Sequence, residues 1–364
     1  MNLIEILSKA VEKDASDVHL KFGKKPLLRI KQGLIELKEE EILNDKILDE
    51  FLSQIMTPVQ KTKFLAQMDI DLAYELEDIS RFRVNVFKQR SHIGIVMRRI
   101  KSYIPSFEEL NLPPVLQKIS GFNEGFILVT GPTGCGKSTT LASIIDYIST
   151  NQFKHIVTIE DPIEYVYKDK NSIIDQREVG LDTLSFNAAL KHVLREDPDI
   201  ILIGELRDVE TFESAVRASE TGHLVFGTLH TTDTITTITR ILDFFPQSQH
   251  DQIRKVIAYN LKATICQRLL PKKDGKGLVP VCEIMVVTPI ISRLIVENKI
   301  QKIYGAIVGG REEGMQTFNQ HLVQLIQSDI ITKEIGFTVS PAPDALEMNL
   351  RGIYLDEETR IIGE

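Results

Sequence analysis

The sequence predicts an α/β protein: a parallel-rich sheet with helices on both faces, preceded by a smaller α+β domain. Three observations carry that expectation. Short apolar runs at 126–130, 155–160, 200–203 and 224–229 alternate with helix-compatible segments, the pattern of parallel strands buried on both faces. The first run, Phe126-Ile127-Leu128-Val129, leads into Gly131-Pro132-Thr133-Gly134-Cys135-Gly136-Lys137-Ser138, and Thr139 to Ile145 then suits a helix. Ahead of residue 100, apolar residues recur at alternate positions, as in antiparallel strands.

Taken in order, Leu3, Ile6, Leu7, Ala10 and Val11 repeat at helical spacing and predict an amphipathic helix over 1–15. Ser16 to Phe22 and Pro26 to Ile30 alternate and read as strands, with a turn at Gln32-Gly33. Residues 45–66 read as helix. Asp69–Tyr74, Arg81–Phe87 and Ile93–Arg98 give three more strands, completing an α+β domain of about one hundred residues. Pro105, Pro113 and Pro114 mark a linker over 101–114. The larger domain follows over 115–288, and from 289 the chain reads as helices at 289–299 and 315–328 with a polar, proline-containing tail from 338.

The chain has 43 Lys and Arg against 51 Asp and Glu, a net charge of -8. That balance argues against a bulk nucleic-acid binder. Cys135, Cys266 and Cys282 form no C-x-x-C pair, so neither a zinc site nor a disulfide framework is expected. The first residues lack a basic stretch ahead of an apolar one, and no apolar run is long enough to span a bilayer. The expectation is a soluble, cytoplasmic protein that reaches a membrane only through partners.

Function is written at the strand ends, where an open parallel sheet binds its ligands. The stretch from Gly131 to Ser138 fits G-x-x-x-x-G-K-[ST] in its required setting between a strand and a helix, which makes it a phosphate-binding loop. Gly131, Pro132, Thr133, Gly134, Cys135, Gly136, Lys137, Ser138 and Thr139 are therefore the candidate nucleotide-binding residues. Lys137 is expected to reach the β and γ phosphates of ATP, and Ser138 to hold Mg²⁺. The run Asp199-Ile200-Ile201-Leu202-Ile203-Gly204-Glu205 occupies the metal-side strand, but position 204 is Gly, so Glu205 must supply the carboxylate near Mg²⁺. A strand ending in Glu160-Asp161-Pro162-Ile163-Glu164 lies between these two in the chain, an order that looks like the RecA-like branch of P-loop ATPases. Glu160 and Glu164 compete for the general base that polarises the attacking water. His230, followed by two threonines at the end of the fourth run, is placed to sense the γ-phosphate; His223, at its start, is as readily structural. Arg81 and Arg83 share one face of a strand, and with Arg195, Arg207 and Arg217 they supply candidate charges for phosphoryl transfer, at least one of them across a subunit interface.

Gly131 to Thr140, Thr158 to Glu164, Gln176-Arg177-Glu178-Val179-Gly180, Leu194 to Asp199 and Glu220 to Thr232 together resemble the secretion ATPases, and specifically the PilT-type retraction ATPases of type IV pili. Ala15 to Leu20 and Arg81 to Asn85 extend the resemblance to nearly the whole chain. It implies a PAS-like domain over 1–100, a RecA-like domain over 115–288, and a homohexameric ring. That ring would hydrolyse ATP to pull pili in, working with an inner-membrane platform protein and a paralogous pilus ATPase. It also implies that Glu164 is the catalytic glutamate, 200–205 an atypical metal-side strand with Glu205, and 220–232 a histidine box. One departure stands out: the family's Ala-Ile-Arg-Asn-Leu-Ile-Arg-Glu motif is Ile290-Ile291-Ser292-Arg293-Leu294-Ile295-Val296-Glu297 here, with both arginines missing at their own positions. A regulatory or non-retracting paralogue is the alternative. A pilus assembly or type II secretion ATPase is less favoured, since the tetracysteine zinc insertion is absent.

Overall fold

The computed structural model describes residues 2–31, 33–76, 79–100 and 103–353. The chain divides into two compact units. One runs to Tyr103 and takes in the short segment Ile163–Val166; the other holds the rest of the chain from Ile104 on.

The first unit is a six-stranded antiparallel sheet with helices. Its strands are β1 (Asp17–Lys21), β2 (Leu27–Ile30), β3 (Gly33–Glu36), β4 (Asp69–Leu76), β5 (Ser80–Gln89) and β6 (His92–Arg99), in the order β3-β2-β1-β6-β5-β4. Along β5, Phe82, Val84 and Val86 are buried while Arg81 and Arg83 share the other, partly exposed face, as alternate residues must. The helix expected over 45–66 is two helices, Asp45–Ile55 and Pro58–Gln67. Pro58 cannot donate inside a helix but suits a first turn, and Thr57 closes a capping box with Gln60, so a new helix starts there. The expected turn at Gln32-Gly33 falls partly on Gln32, outside the described residues. Gly33 itself opens β3, whose four residues are all exposed and so lack the apolar alternation that marks a strand.

The second unit is built on a seven-stranded sheet ordered β13-β12-β7-β11-β10-β8-β9. Its strands are β7 (Gly125–Thr130), β8 (His155–Glu160), β9 (Ile173–Glu178), β10 (Ile200–Ile203), β11 (Leu224–Leu229), β12 (Leu261–Pro271) and β13 (Leu278–Val286). All neighbours pair parallel except β12 with β13. Every residue of β7, β10 and β11 is buried, which is why these runs are continuously apolar. β9 escaped the sequence reading because Asp175, Gln176, Arg177 and Glu178 give it a polar edge-strand face. The β12–β13 hairpin escaped it because Pro280 interrupts the second strand; Pro280 is tolerated because β13 is an edge. Phe107 and Leu112, inside the stretch read as a linker, are buried in this unit's core. Lys101 and Ser102 lie outside the described residues.

Beyond β13 come the helices Pro289–Val296, Ile303–Gly309, Phe318–Gln327, Lys333–Val339 and Pro343–Leu350. The proline-containing tail thus carries a helix at Pro343–Leu350, with Pro343 in its first turn; residues 354–364 lie outside the described residues. Phe318, Leu322 and Leu346 bury against Cys266, Leu270, Val279 and Val281 of the hairpin. The three cysteines are buried and free.

One histidine in this C-terminal layer makes stability depend on pH. His321 is buried, its Nδ1 accepts the Cys282 N–H at 2.9 Å, and burial pushes its pKa down to about 4 from 6.5. The unfolded chain binds the proton that the fold refuses, so this contribution is whole above pH 6.5 and is lost as pH falls from 6.5 towards 4. The loss is roughly 1.4 kcal/mol per pH unit, about 3 kcal/mol in all. Urea unfolding at pH 7 and pH 4 should show wild type losing about that much more than His321→Asn, which keeps an acceptor but does not titrate; equal losses would mean the buried ring is already charged.

Candidate nucleotide-binding site

The phosphate loop grows from the end of β7. Gly131, Gly134 and Gly136 have φ of 147°, 78° and 88°, left-handed conformations that other residues resist. Gly136 caps the helix Lys137–Asn151, so the turn presents a helix N-terminus, where backbone N–H groups and the helix dipole favour anions. Pro132, Thr133 and Gly134 form the exposed crest, while Cys135 turns inward and is 4% exposed. Lys137 Nζ donates to the Gly131 and Pro132 carbonyls at 2.8 and 3.2 Å, folding its charge across the mouth of the loop.

The loop is clamped from β12 by a residue the sequence reading missed. Gln267 is 1% exposed; its Nε2 donates to the Cys135 carbonyl at 2.6 Å and its Oε1 accepts from Thr140 Oγ1 at 2.7 Å. The carboxamide therefore joins the loop to the first turn of its helix. The packing leaves no room for side chains at the glycines it touches: a Cβ at Gly131 would run into the Gln267 carbonyl oxygen, and one at Gly136 would lie 2.9 Å from Gln267 Nε2. The available signal was a glutamine directly after Ile265-Cys266 in a strand-like stretch.

At the ends of β8, β10 and β11 the charged side chains converge. Glu205 Oε2 accepts from Arg207 Nη2 at 2.7 Å, Glu205 Oε1 lies 3.2 Å from His230 Nε2, and Arg207 Nη1 is 3.9 Å from Asp161 Oδ2. Burial pushes the Glu205 carboxyl up, but the bond from Arg207 and the charges of Arg207, His230 and Lys137 outweigh it and hold Glu205 below the usual carboxylate range. The Glu205 bond raises Arg207 in turn. An ionised Glu205, Ser138 at the head of the loop helix and the backbone N–H groups of the loop are donors of the kind that suit Mg²⁺ and a nucleotide phosphate chain: hard oxygen ligands and N–H groups, with a lysine for the remaining charge.

The glycine at 204 has a steric reason. A Cβ there would lie 3.2 Å from the Ile159 carbonyl oxygen and 3.3 Å from Glu160 Cα, and Thr228 Oγ1 donates to the Gly204 carbonyl at 2.5 Å. β10 is thus pinned between β8 and β11, and the acid moves one position on.

The competing glutamates are separated by their surroundings. Glu160 is 9% exposed, and its Oε1 accepts from Thr158 Oγ1 at 2.7 Å and Gln176 Nε2 at 3.2 Å, the environment of a brace. Glu164 is exposed and lies in the segment Ile163–Val166 that groups with the first unit. In the chain, the Glu160 strand comes between the loop and Glu205; in space, the strand between β7 and β10 is β11, so His230 rather than Glu160 occupies the intervening position. His223 sits at the opposite end of β11, its Nδ1 bonded to the Ala218 carbonyl at 2.9 Å. Arg217 donates to the Glu213 carbonyl of its own helix at 3.4 Å. Arg83 in the first unit has Asp71 at 3.9 Å.

A glycine-rich loop at a β7-type strand, a carboxylate two strands away and a polar strand end between them define a P-loop nucleotide-hydrolase fold of the RecA-like kind. Residues 2–335 match the model of the type II/IV secretion system protein family. The chain is 43% identical over 334 residues to the type IV pilus retraction ATPase PilT of Pseudomonas aeruginosa, covering 92% of this chain and 96% of that one. It is 37% identical over 351 residues to the type IV pilus ATPase PilU of the same organism, covering 96% and 92%. A crystal structure of the pilus retraction motor PilT with bound ADP superposes with a TM-score of 0.88 at 45% identity, covering 95% of this chain and 99% of that one. The chain belongs to the type II/IV secretion system protein family, among its PilT- and PilU-type retraction ATPases.

The clamp gives a direct test. Gln267→Leu preserves the volume but leaves the buried Cys135 carbonyl and Thr140 hydroxyl unpartnered, at roughly 1–3 kcal/mol each. Chemical denaturation should show a loss of about 2–4 kcal/mol, and titration with a fluorescent ATP analogue should show affinity weakened about tenfold. An unchanged midpoint with unchanged affinity would mean the loop holds its shape without Gln267.

Proposed function

We propose that this chain is an ATP hydrolase whose turnover drives retraction of a type IV pilus, with filament disassembly and twitching motility as the outcome. What supports this above all is the 43% identity spanning 96% of PilT, on a fold whose strand ends already gather Lys137, Glu205, Arg207 and His230. Residues Gly131 to Thr139 take the nucleotide phosphates, and Lys137 leaves its two carbonyl partners for the β and γ phosphates. Ser138 and Glu205 hold Mg²⁺, which when bound supplies charge neutralisation on the phosphate chain.

Glu164 is the general base: it accepts the proton of the attacking water, while Glu160, held by Thr158 and Gln176, braces the strand end. His230 follows the γ-phosphate through its contact with Glu205. Arg207 is released from Glu205 when a phosphate competes for it, and Arg81 and Arg83 serve a neighbouring subunit's nucleotide. In this reading the chain assembles as a homohexamer in the cytoplasm, at the inner face of the membrane, through an inner-membrane platform protein and in company with a paralogous pilus ATPase. It neither binds nucleic acid nor enters the membrane; among the described residues no helix is long and apolar enough to cross one. Its first unit is PAS-like and its second is RecA-like, with a C-terminal helical segment from 289.

A second reading, a paralogue that modulates a sister motor, is favoured by Ser292 and Val296 standing where the retraction motif carries arginine. Turnover separates the two. Purified protein should release phosphate from ATP only with Mg²⁺, and deletion of the gene should leave pili that extend but do not retract, restored by complementation. Turnover absent from intact protein would favour the modulating paralogue. Glu164→Gln should abolish phosphate release, by 10²-fold or more, while binding ATP as before; normal hydrolysis would remove Glu164 as the base. Arg83→Ala should slow turnover of the assembled ring while sparing ATP binding by isolated subunits, and an unaltered rate would exclude that arginine.

A further inference from the structure

We propose that Glu283 is a positioning residue for the nucleotide reaction: its buried carboxylate holds the start of the helix Thr234–Leu242 and so fixes the turn that carries His230 against Glu205. The proposal rests on the ATP-hydrolysing reading of this site. Glu283 lies on β13, is 5% exposed, and its Oε1 accepts the Thr234 N–H at 2.9 Å. Thr234 is fully buried, with its hydroxyl 3.0 Å from Thr264 Oγ1 and 3.6 Å from Cys266 Sγ on β12. The helix start is therefore anchored to both strands of the hairpin.

One turn along the helix, further hydroxyls lie between it and the strand that leads into the phosphate loop. Thr237, fully buried one turn further on, donates to the Asp233 carbonyl at 2.7 Å and lies 2.7 Å from Thr231 Oγ1 and 3.5 Å from Thr130 Oγ1. A hydroxyl has a single proton to give. With that proton on Asp233, Thr237 must accept from Thr231, which orients the residue next to His230. Thr130 is the last residue of β7, directly before Gly131.

The helix does not need Glu283 in order to form. Asp233 already accepts the Thr236 N–H at 2.8 Å and closes a capping box, which satisfies a helix start locally. A second carboxylate brought from another strand and buried costs desolvation that helix formation does not require. What it adds is place: it locates the helix, and hence residues 230–234, relative to the sheet. The contact is made by an acceptor oxygen on the Thr234 N–H, and glutamine supplies that oxygen.

The full-length protein tests this with Glu283→Ala, Glu283→Gln and the near-isosteric Thr237→Val. Glu283→Ala should lower kcat about tenfold with KM for ATP within about twofold, and amide exchange at Thr231 to Thr234 should rise about tenfold. Glu283→Gln should restore both, and Thr237→Val should repeat the kcat loss even if the alanine variant folds poorly. Wild-type exchange over 230–237 in Glu283→Ala, or in Thr237→Val should the first not fold, would overturn the proposal, as would a glutamine variant no better than alanine. Exchange is read without turnover, so an inactive wild type would count against the hydrolase reading while leaving the exchange comparison decisive for Glu283.

Discussion

The site depends on β7 being buried on both faces. A strand with no solvent-facing side must pair both edges, and β7 does so with β11 on one side and β12 on the other. Those two neighbours decide what surrounds the phosphate loop. β11 ends in His230, whose ring meets Glu205, and β12 carries Gln267, whose carboxamide closes on the Cys135 carbonyl. One packing requirement thus sets both the electrostatic wall of the site and its clamp.

Charge at the site is balanced by partners within the chain. Lys137 rests on two carbonyls, and Glu205 is shared by Arg207 and His230. A phosphate chain can take the place of the carbonyls on Lys137, and can compete with Glu205 for Arg207, in each case as a charged acceptor. The arrangement keeps Glu205 ionised and Lys137 close by while holding both in polar contact, so binding exchanges interactions and does not bury bare charge.

Much of this was legible in the residues themselves. The glycine-lysine-serine spacing, the apolar runs and the acid after Gly204 each encode a local requirement, and local requirements leave local patterns. Glu283 and Thr237 left none and Gln267 only a lone polar residue in its strand, because their work is done across the sheet: Gln267 and Cys135 are 132 residues apart, and Glu283 and Thr234 are 49 apart. The order of strands is likewise silent in the chain. The Glu160 strand follows the loop in the chain, yet the strand beside β7 in the sheet is β11, which brings His230.

The same hairpin that carries Gln267 and Glu283 also receives the C-terminal helices, and this gives the altered motif a physical setting. On the helix Pro289–Val296, Ser292 Oγ donates to the Ala258 carbonyl at 3.1 Å, while Arg293 is exposed and pairs with Glu297 at 2.6 Å. One residue along a helix is a turn of about 100°. Moving an arginine from 292 to 293 therefore takes its charge from the face against the helix His250–Asn260 to the face towards solvent. A short hydroxyl fills the vacated contact and the exposed ion pair adds little stability. The hairpin's inner edge meets the nucleotide loop, and its outer strand meets His321 through the Cys282 N–H. Gln267 on one strand and Cys282 on the other thus place the hairpin between the nucleotide loop and the layer of C-terminal helices.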